Sequence, residues 1–436
     1  MLTRQRARRF VEMVMNQRGR KGIELSIVEW KGGLTRFARN KIVQNIEQDS
    51  IIVRMRVRSG KKMVEVQFSD LSKDTVDKAY RQAISGLSTQ GETDLLPLIP
   101  KQNYKRTVKR LKSLAITPMD KAKKIKQVCE EGENRGIEIS GAYSVQGTVY
   151  CIANSKGLFA FWEGAQSECS VTALKDDGAG WAMEFSFGEP DVIRVAKVAM
   201  EKAEKSQHPK DINPGKYDVV LEPSAAAQLV GFLVYLACNG KFFAEGRALA
   251  SHHLGKKLFS ESLTVVEDYA HPMHLGMPFD ADGVPRRRVV LIEKGVLKGV
   301  YHDRNSARMV KARSTGNAIM EREWSPAPMS LVVQPGTETL KSMIENTERG
   351  LLITELHYVN ALDPLQVVLT GMTRNGLFWI EDGRVAYPVK NLRFTENISQ
   401  AMARIKGIGR ELVQMEGIAV PAMSVEGFAF SSKTDF

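Results

Sequence analysis

The sequence predicts an α+β protein in which a mixed N-terminal region of helices and strands precedes a β-rich C-terminal domain. Two observations support this class: paired runs alternate apolar residues at strand spacing, and other segments repeat them at helical spacing. A length of 436 residues exceeds one typical domain. With 43% hydrophobic and 26% charged residues, the composition is typical of globular proteins that bury a core.

Residues 1–100 are predicted to begin with an amphipathic helix, followed by hairpins and a second helix. In IIVRMRVR, residues 51–58, apolar side chains alternate with three arginines, which indicates a half-buried strand with a basic outer face. In residues 73–87, Val76, Ala79 and Tyr80 recur at helical spacing.

Residues 101–205 are predicted to belong to the same N-terminal lobe as a basic connection, a helix and strands. Thr117-Pro118 is typical of a helix start, with Thr as N-cap and Pro at the first helical position. The segment 206–216 has two prolines and a glycine among polar residues, and we place the domain boundary there. Residues 217–436 then form the predicted β-rich C-terminal domain.

The net charge of +12 is concentrated between Lys101 and Gln127, where ten Lys/Arg face a single Asp. Such a patch can neutralise phosphates. However, Tyr104 is the only aromatic residue there, so the stacking surface of a single-strand binder is missing. A solvated linker and helix face, or a surface for a partner subunit or an acidic peptide, are the alternatives, and the role of this segment stays open.

A helix from Ser224 to about Cys238 is predicted to be buried because it has almost no polar face. We expect Ser224 to be its N-cap and Asn239-Gly240 to end it. The stretch GFLVYLACNG, residues 231–240, lies at its C-terminal half.

Several ordered phrases surround this helix: CIANSKGLFA, FDADGVPRRRVVLIEKGVLKG, STGNA, GLLITEL and GLFWIEDGRVAYPV. With GFLVYLACNG they resemble the TldD/TldE (PmbA) family of peptidases. In one respect the chain departs from the family: residues 350–376 lack its usual small, glycine-rich link before the final hairpin. This departure affects the substrate contacts expected there.

In TldD-type members the helix carries an HExxxH zinc signature, and the resemblance places Tyr235, Leu236 and Gly240 at its three functional positions. Histidines hold zinc and the glutamate polarises its water, so none of the three can perform the original role. The late cysteine ligand of TldD-type members is missing too, since no cysteine follows Cys238. We therefore predict no catalytic residue and no metal ligand in this chain, as in the TldE branch.

The resemblance implies a two-domain α+β fold with a curved N-terminal sheet. It also implies a cytoplasmic heterodimer with an HExxxH-bearing TldD-like subunit, in which zinc is expected. Such a complex degrades or trims unstructured peptides, including precursors of peptide antibiotics. This chain would complete the chamber and grip the substrate.

Ser314, Thr315, Gly316 and Asn317 are the substrate-binding candidates, because small hydroxyls, a glycine and an amide suit close approach of a peptide backbone. A turn capped by its own side chains explains the same phrase. Arg286 and Arg288 are further candidates, one of which could be buried against acids while another lines a channel.

The sequence gives weaker support to a metal site or to acid–base catalysis by other residues. His271-Pro-Met-His274 lacks a carboxylate or cysteine that completes a metal site. Nothing in the sequence brings Glu321, Glu323, Asp280 and Asp282 together as a catalytic acid and base. A metal held by other, distant ligands stays open.

Two alternatives to the non-catalytic subunit stay open. One is a self-dimerising enzyme or peptide-binding protein with a rebuilt site, and the other is a basic nucleic-acid-binding protein. No run approaches the roughly 18 apolar residues of a membrane span, and the N-terminal residues lack the apolar core of a leader. We therefore expect a cytoplasmic protein without a membrane segment.

Overall fold

The computed structural model describes residues 1–16, 22–105, 107, 111–319 and 325–434. Its strands form three sheets, one in the N-terminal half and two in the C-terminal half. Helices pack against these sheets, and strands dominate the C-terminal half. The predicted α+β class is therefore confirmed.

The first sheet contains six antiparallel strands. They are β1 (Ile23–Ala38), β2 (Lys41–Ser59), β3 (Lys62–Phe68), β4 (Glu138–Asn154), β5 (Phe159–Lys175) and β6 (Gly178–Ser186). Their order across the sheet is β3-β2-β1-β4-β5-β6. Since β1 pairs with both β2 and β4, the first hairpin and the later strands join in one sheet.

Helices cover one face of this sheet. They are α1 (Arg4–Met15), α2 (Lys73–Leu87), α3 (Pro118–Asn134) and α4 (Val192–Lys205), with a short 3-10 turn at Lys112–Ala115. The predicted alternation in β2 is confirmed, because Val53, Met55 and Val57 are buried under α1 and α2. Thr117 caps α3 as predicted, through a capping box with Asp120.

The opposite face of the first sheet turns toward the C-terminal half. Ile152 of β4 and Trp162 of β5 pack there against Phe279. Polar and aromatic side chains on this face line open cavities between the two halves.

Among the described residues of the C-terminal half there are thirteen further strands. They are β7 (Gly215–Leu221), β8 (Val265–Glu267), β9 (Val289–Glu293), β10 (Val296–Leu297), β11 (Leu331–Val333), β12 (Arg349–Asp363), β13 (Val368–Glu381), β14 (Arg384–Pro388), β15 (Leu392–Asn397), β16 (Ile405–Ile408), β17 (Val413–Met415), β18 (Ile418–Val420) and β19 (Met423–Lys433). One sheet has the order β10-β9-β8-β11-β18-β17. In the other, the pairings β7-β12-β13-β15-β19-β7 close into a ring.

Six helices connect these strands. They are α5 (Pro223–Cys238), α6 (Gly240–Ala244), α7 (Ala250–His253), α8 (Arg304–Met309), α9 (Leu340–Glu345) and α10 (Ile398–Ala403). Helix α5 contributes ten buried residues to the largest core, shared with strands of both C-terminal sheets. Among the described residues, no helix is long and apolar enough to cross a membrane.

Candidate functional site

Helix α5 is mostly buried, as predicted, but its start differs from the prediction. Glu222 is the N-cap and Pro223 the first helical residue, so the prediction that Ser224 caps the helix is wrong. Proline stabilises that first position because it has no N–H to leave unpaired. At the other end, the Asn239 side chain accepts from the N–H groups of Lys241 and Phe242 and starts α6.

The C-terminal end of α5 is closed at Gly240. A Cβ placed there would lie 2.5 Å from Tyr301 O, 2.9 Å from Ser306 Oγ and closer still to His302 Nδ1. Gly240 N donates to Tyr301 O at 2.9 Å. A histidine at this position therefore requires the segment 301–306 to move.

His302 fills the space beside Gly240, and no motif in the sequence singles out this histidine. Its ring is buried, with Nδ1 3.2 Å from Ser306 Oγ. Burial lowers the pKa of His302, which favours the neutral ring. His302 therefore packs at this end of the helix as a neutral side chain.

Tyr235 and Leu236 lie in contrasting environments. Leu236 is buried in the core, whereas Tyr235 is 40% exposed. The Tyr235 ring packs edge-on against Phe242, with centroids 5.4 Å apart. Tyr235 thus faces open space, and the phenol is supported by a neighbouring aromatic ring.

That open space is a cavity of about 620 Å³, which we call the α5 cleft. It is lined by Glu168, Ser170, Trp181, Met183, Ser224, Ala227, Gln228, Gly231, Phe232, Tyr235, Glu355, Met415, Glu416 and Ile418. One stripe of α5 forms one wall, and β5 and β6 of the first sheet face it. The expectation that α5 is enclosed on all sides therefore fails along this stripe.

The α5 cleft is acidic although the chain has a net charge of +12. Its lining includes Glu168, Glu355 and Glu416 but no lysine, arginine or histidine among the described residues. Burial raises the pKa of Glu168, and the negative charge of Glu416 adds to this effect. Burial also raises the pKa of Glu355, although the hydrogen bond from Asn375 and the charges of Arg374 and Lys202 act in the opposite direction. Asn375 Nδ2 donates to Glu355 Oε2 at 2.6 Å.

Sequence reasoning missed these glutamates because they lie on three distant elements: β5, β12 and the turn between β17 and β18. A signal existed only for Glu168, which the strand period places on the face opposite the helices. Glu416 has a positive φ of 45°, a conformation uncommon for glutamate.

The Ser314–Asn317 segment uses its polar groups within the protein. Thr315 Oγ1 donates to His302 O at 3.0 Å, and Ser314 Oγ donates to the same oxygen at 3.1 Å. Gly316 has φ +82° and packs on Arg286. Within the segment, the Gly316 N–H donates to Ser314 Oγ at 3.2 Å, as in a turn held by its own side chains, and substrate binding by this segment stays a prediction.

Asn317 and Arg286 meet at the buried carboxylate of Glu267. Arg286 forms an ion pair with Glu267, and Asn317 Nδ2 donates to it at 3.2 Å. The N–H groups of Met329 and Ser330 donate to the same carboxylate at 3.1 and 3.0 Å. Four hydrogen-bond donors therefore surround the Glu267 carboxylate, and the guanidinium of Arg286 is occupied by its ion pair with this carboxylate.

Arg288 lies apart from that centre. Its side chain is half exposed, and its Nε lies 3.5 Å from Asp268 Oδ2. Arg286, by contrast, also borders a second cavity of about 440 Å³. The structure therefore does not bring the two predicted arginines together, and their substrate role stays a prediction.

Among the described residues, the remaining candidates do not form one site, although Asp280 and Asp282 lie side by side. Asp280 is buried and accepts three backbone N–H groups at 2.8–3.0 Å; Glu321 and Glu323 lie outside the described residues. His274 Nε2 lies 3.0 Å from Leu331 O, and burial lowers its pKa to about 4. The described part of the chain contains no cluster of three or more His, Cys, Asp or Glu side chains suited to a metal.

Part of the basic segment 101–127 is neutralised by the protein's own acids. Lys121 is buried with Nζ 3.4 Å from Glu47, and Lys124 lies 2.7 Å from Glu189. Residues 106 and 108–110 of this segment lie outside the described residues. These pairs leave less free charge for phosphates, although the role of the segment remains untested.

Comparison with known families covers the C-terminal half. Residues 214–432 match the PmbA/TldA metallopeptidase C-terminal domain, which is half of the chain. This chain belongs to the PmbA/TldD family. The resemblance drawn from the sequence phrases is thereby confirmed.

Two similar proteins of the PmbA/TldD family carry metalloprotease names. The chain is 22% identical over 378 residues to a metalloprotease TldD homolog of Buchnera aphidicola, covering 80% of this chain and 71% of that protein. It is 26% identical over 305 residues to metalloprotease PmbA of Escherichia coli O157:H7, covering 66% and 64% respectively.

Solved structures of the same fold are also similar. TldE from Thermococcus kodakarensis superposes with a TM-score of 0.86 at 20% identity, covering 97% of this chain and 98% of that one. A Thermotoga maritima protein, described as a proposed modulator of a DNA gyrase, gives a TM-score of 0.87 at 19% identity, covering 98% and 100%. At these identities the similarity shows a shared PmbA/TldD fold.

Proposed function

We propose that this chain is a TldE-like, non-catalytic subunit of a two-chain metalloprotease that degrades or trims unstructured peptides in the cytoplasm. Membership of the PmbA/TldD family supports the proteolytic context. The observation that carries the non-catalytic role is the close packing of Tyr301 O, His302 and Ser306 around Gly240, which leaves no space for a zinc-binding side chain.

The residues at the three signature positions do not fit zinc. Leu236 is buried and has no donor atom, and Gly240 has no side chain. Tyr235 offers a phenol, a poor zinc ligand compared with imidazole or thiolate. Because the donor set does not fit, we assign no catalytic step to this chain.

On this proposal, a TldD-like partner bearing HExxxH supplies the zinc and the general base. This chain contributes the α5 cleft, which lies along the helix that carries the signature in TldD-type members. Its volume of about 620 Å³ lies within the range of ligand-binding cavities, and its lining combines apolar, aromatic and acidic side chains.

Co-purification from the native cells tests this proposal. We expect an HExxxH-bearing chain at one-to-one stoichiometry, with peptidase activity on unstructured peptides only in the complex. Substituting the first histidine of the partner's HExxxH with alanine should abolish activity, while Tyr235→Phe in this chain should leave zinc content unchanged.

Two results would overturn the proposal. One is peptidase activity of this chain alone, and the other is activity that survives the partner's inactivating substitution. A self-dimer without an HExxxH-bearing partner would instead favour a rebuilt, self-dimerising protein. Nucleic-acid affinity that falls steeply with salt would favour the basic-segment alternative.

A further inference from the structure

Three cavities adjoin one another between the first sheet and the C-terminal half. The α5 cleft shares Glu168 and Glu416 with the cavity of about 440 Å³. That cavity shares Tyr150 and Met277 with a third, of about 490 Å³. Together they form a groove across β6, β5, β4, β1 and β2. At a strand spacing of ~4.8 Å this is roughly 19 Å, the length of about six extended residues.

The middle of this groove contains a donor without an acceptor. Trp162 lines the second cavity, and its side chain is buried, with 7% of the residue exposed. Its indole N–H has no hydrogen-bond partner among the described residues. Buried donors are almost always paired in folded proteins, so this N–H is suited to a ligand carbonyl.

The α5 cleft forms the acidic end of the groove. Glu168, Glu355 and Glu416 reach it from three separate elements. None of the three carboxylates forms an ion pair within the described part of the chain, and only Glu355 has a side-chain donor, Asn375. Nearby cations act on Glu355, so the negative charge available at this end of the groove is that of Glu168 and Glu416.

Aromatic and apolar side chains complete the walls of the α5 cleft. Trp181, Phe232 and Tyr235 present rings to it, and Met183 and Met415 present flexible apolar surface. Ring faces attract cations, while apolar walls accept the methylene stem of a long basic side chain. The negative charge of the cleft and its aromatic and apolar walls therefore both favour a ligand with a long basic side chain.

We propose that the α5 cleft is a subsite for a lysine or arginine side chain of an extended peptide lying in the groove. Glu168 and Glu416 pair with the cationic head, and Trp162 donates to a peptide carbonyl farther along. This inference rests on the proposed peptide-binding function of the chain. A free N-terminal ammonium has the same charge, so the test distinguishes the two.

The test measures binding of hexapeptides to the purified full-length chain by fluorescence anisotropy. N-acetylated Gly/Ser/Ala peptides carry one central lysine, arginine or norleucine, and a fourth peptide has a free amine and no basic side chain. We expect the lysine peptide to bind about tenfold more tightly than the norleucine peptide, since a partly desolvated ion pair supplies that ratio. The ratio should shrink as salt rises.

Substitutions test which residues cause the preference for lysine. Glu168→Gln and Glu416→Gln should each remove most of the lysine preference, whereas Glu381→Gln, an exposed glutamate on β13, should retain it. Trp162→Phe should weaken all the peptides alike and leave the lysine-to-norleucine ratio unchanged. Thermal melting of each variant shows whether a loss of binding reflects a loss of folding.

The outcomes separate the two proposals. Equal binding of lysine and norleucine peptides overturns the basic subsite and leaves peptide binding intact. A free-amine peptide that binds as tightly as the acetylated lysine peptide also overturns the side-chain assignment. If no peptide binds, even the neutral ones, the proposed peptide-binding function itself is contradicted.

Discussion

Two regions beside helix α5 differ in whether their acidic side chains have partners within the protein. At the closed end, around Gly240, His302 and Glu267, the carboxylate of Glu267 has four donors and Asn317 and Arg286 are committed to it. In the α5 cleft, Glu168 and Glu416 have no ion-pair partner among the described residues. The closed end therefore stabilises the fold, and the cleft has charge available for a ligand.

The largest expected effect is at the closed end, with Glu267→Ala. Removing this carboxylate leaves the buried Arg286 without a partner, which should lower the free energy of unfolding by about 3–5 kcal/mol. Chemical denaturation measures it. Asp268→Ala is the matched control, because its partner Arg288 is half exposed, and it should cost less than about 1 kcal/mol. Similar losses of unfolding free energy in the two variants would show that the buried ion pair is no more important than the exposed one.

Gly240→Ala tests whether the helix end is closed. A methyl group there meets Tyr301 O and His302 Nδ1, and such overpacking should destabilise the protein by about 1–3 kcal/mol. Gly188→Ala is the control, since its Cβ would meet only Ser186 Oγ at 3.8 Å. An unchanged melting temperature for Gly240→Ala would show that the position tolerates a side chain and would reopen the question of a metal ligand there.

The smallest effect has the opposite sign and lies in the cleft. Because the pKa of Glu168 is raised above its ordinary 4.5, the folded state holds this proton to higher pH than the unfolded state does. The stability it contributes is present at low pH and lost as the pH rises through the folded pKa. Glu168→Gln has no such loss, so it should be more stable than the parent at neutral pH.

The gain from Glu168→Gln should be below about 1 kcal/mol because solvent screens the site. At pH 4 the two proteins should have equal stability. Denaturation midpoints at several pH values measure the difference. A variant less stable than the parent at neutral pH would mean that Glu168 has a stabilising partner.

Local pattern was enough to predict the strand alternation in β2, the capped start of α3 and the buried body of α5. It failed at the start of α5, where Pro223 took the first helical position and left Ser224 inside the helix. The fixed backbone angle of proline suits the first helical position, and this preference moved the cap to Glu222.

The candidate site was predictable only in part. The family resemblance placed Tyr235, Leu236 and Gly240 at the signature positions, but the lack of space at Gly240 depends on His302, 62 residues away in sequence. Likewise the three glutamates of the cleft come from elements whose proximity is a property of the tertiary fold. Spacing along the chain carries no information about such contacts.

The ring of strands in the C-terminal half also affects how the chain folds during its synthesis. Strand β7 ends at Leu221, but its neighbour β19 begins at Met423, so the ring cannot close until the ribosome has added about 200 further residues. At about 5–20 residues per second this takes on the order of 10–40 s. The first sheet is complete by Ser186 and can fold meanwhile. During that interval the apolar surface of α5 and the edge of β7 lack the strands that later cover them. We expect a chaperone that binds nascent chains to bind there.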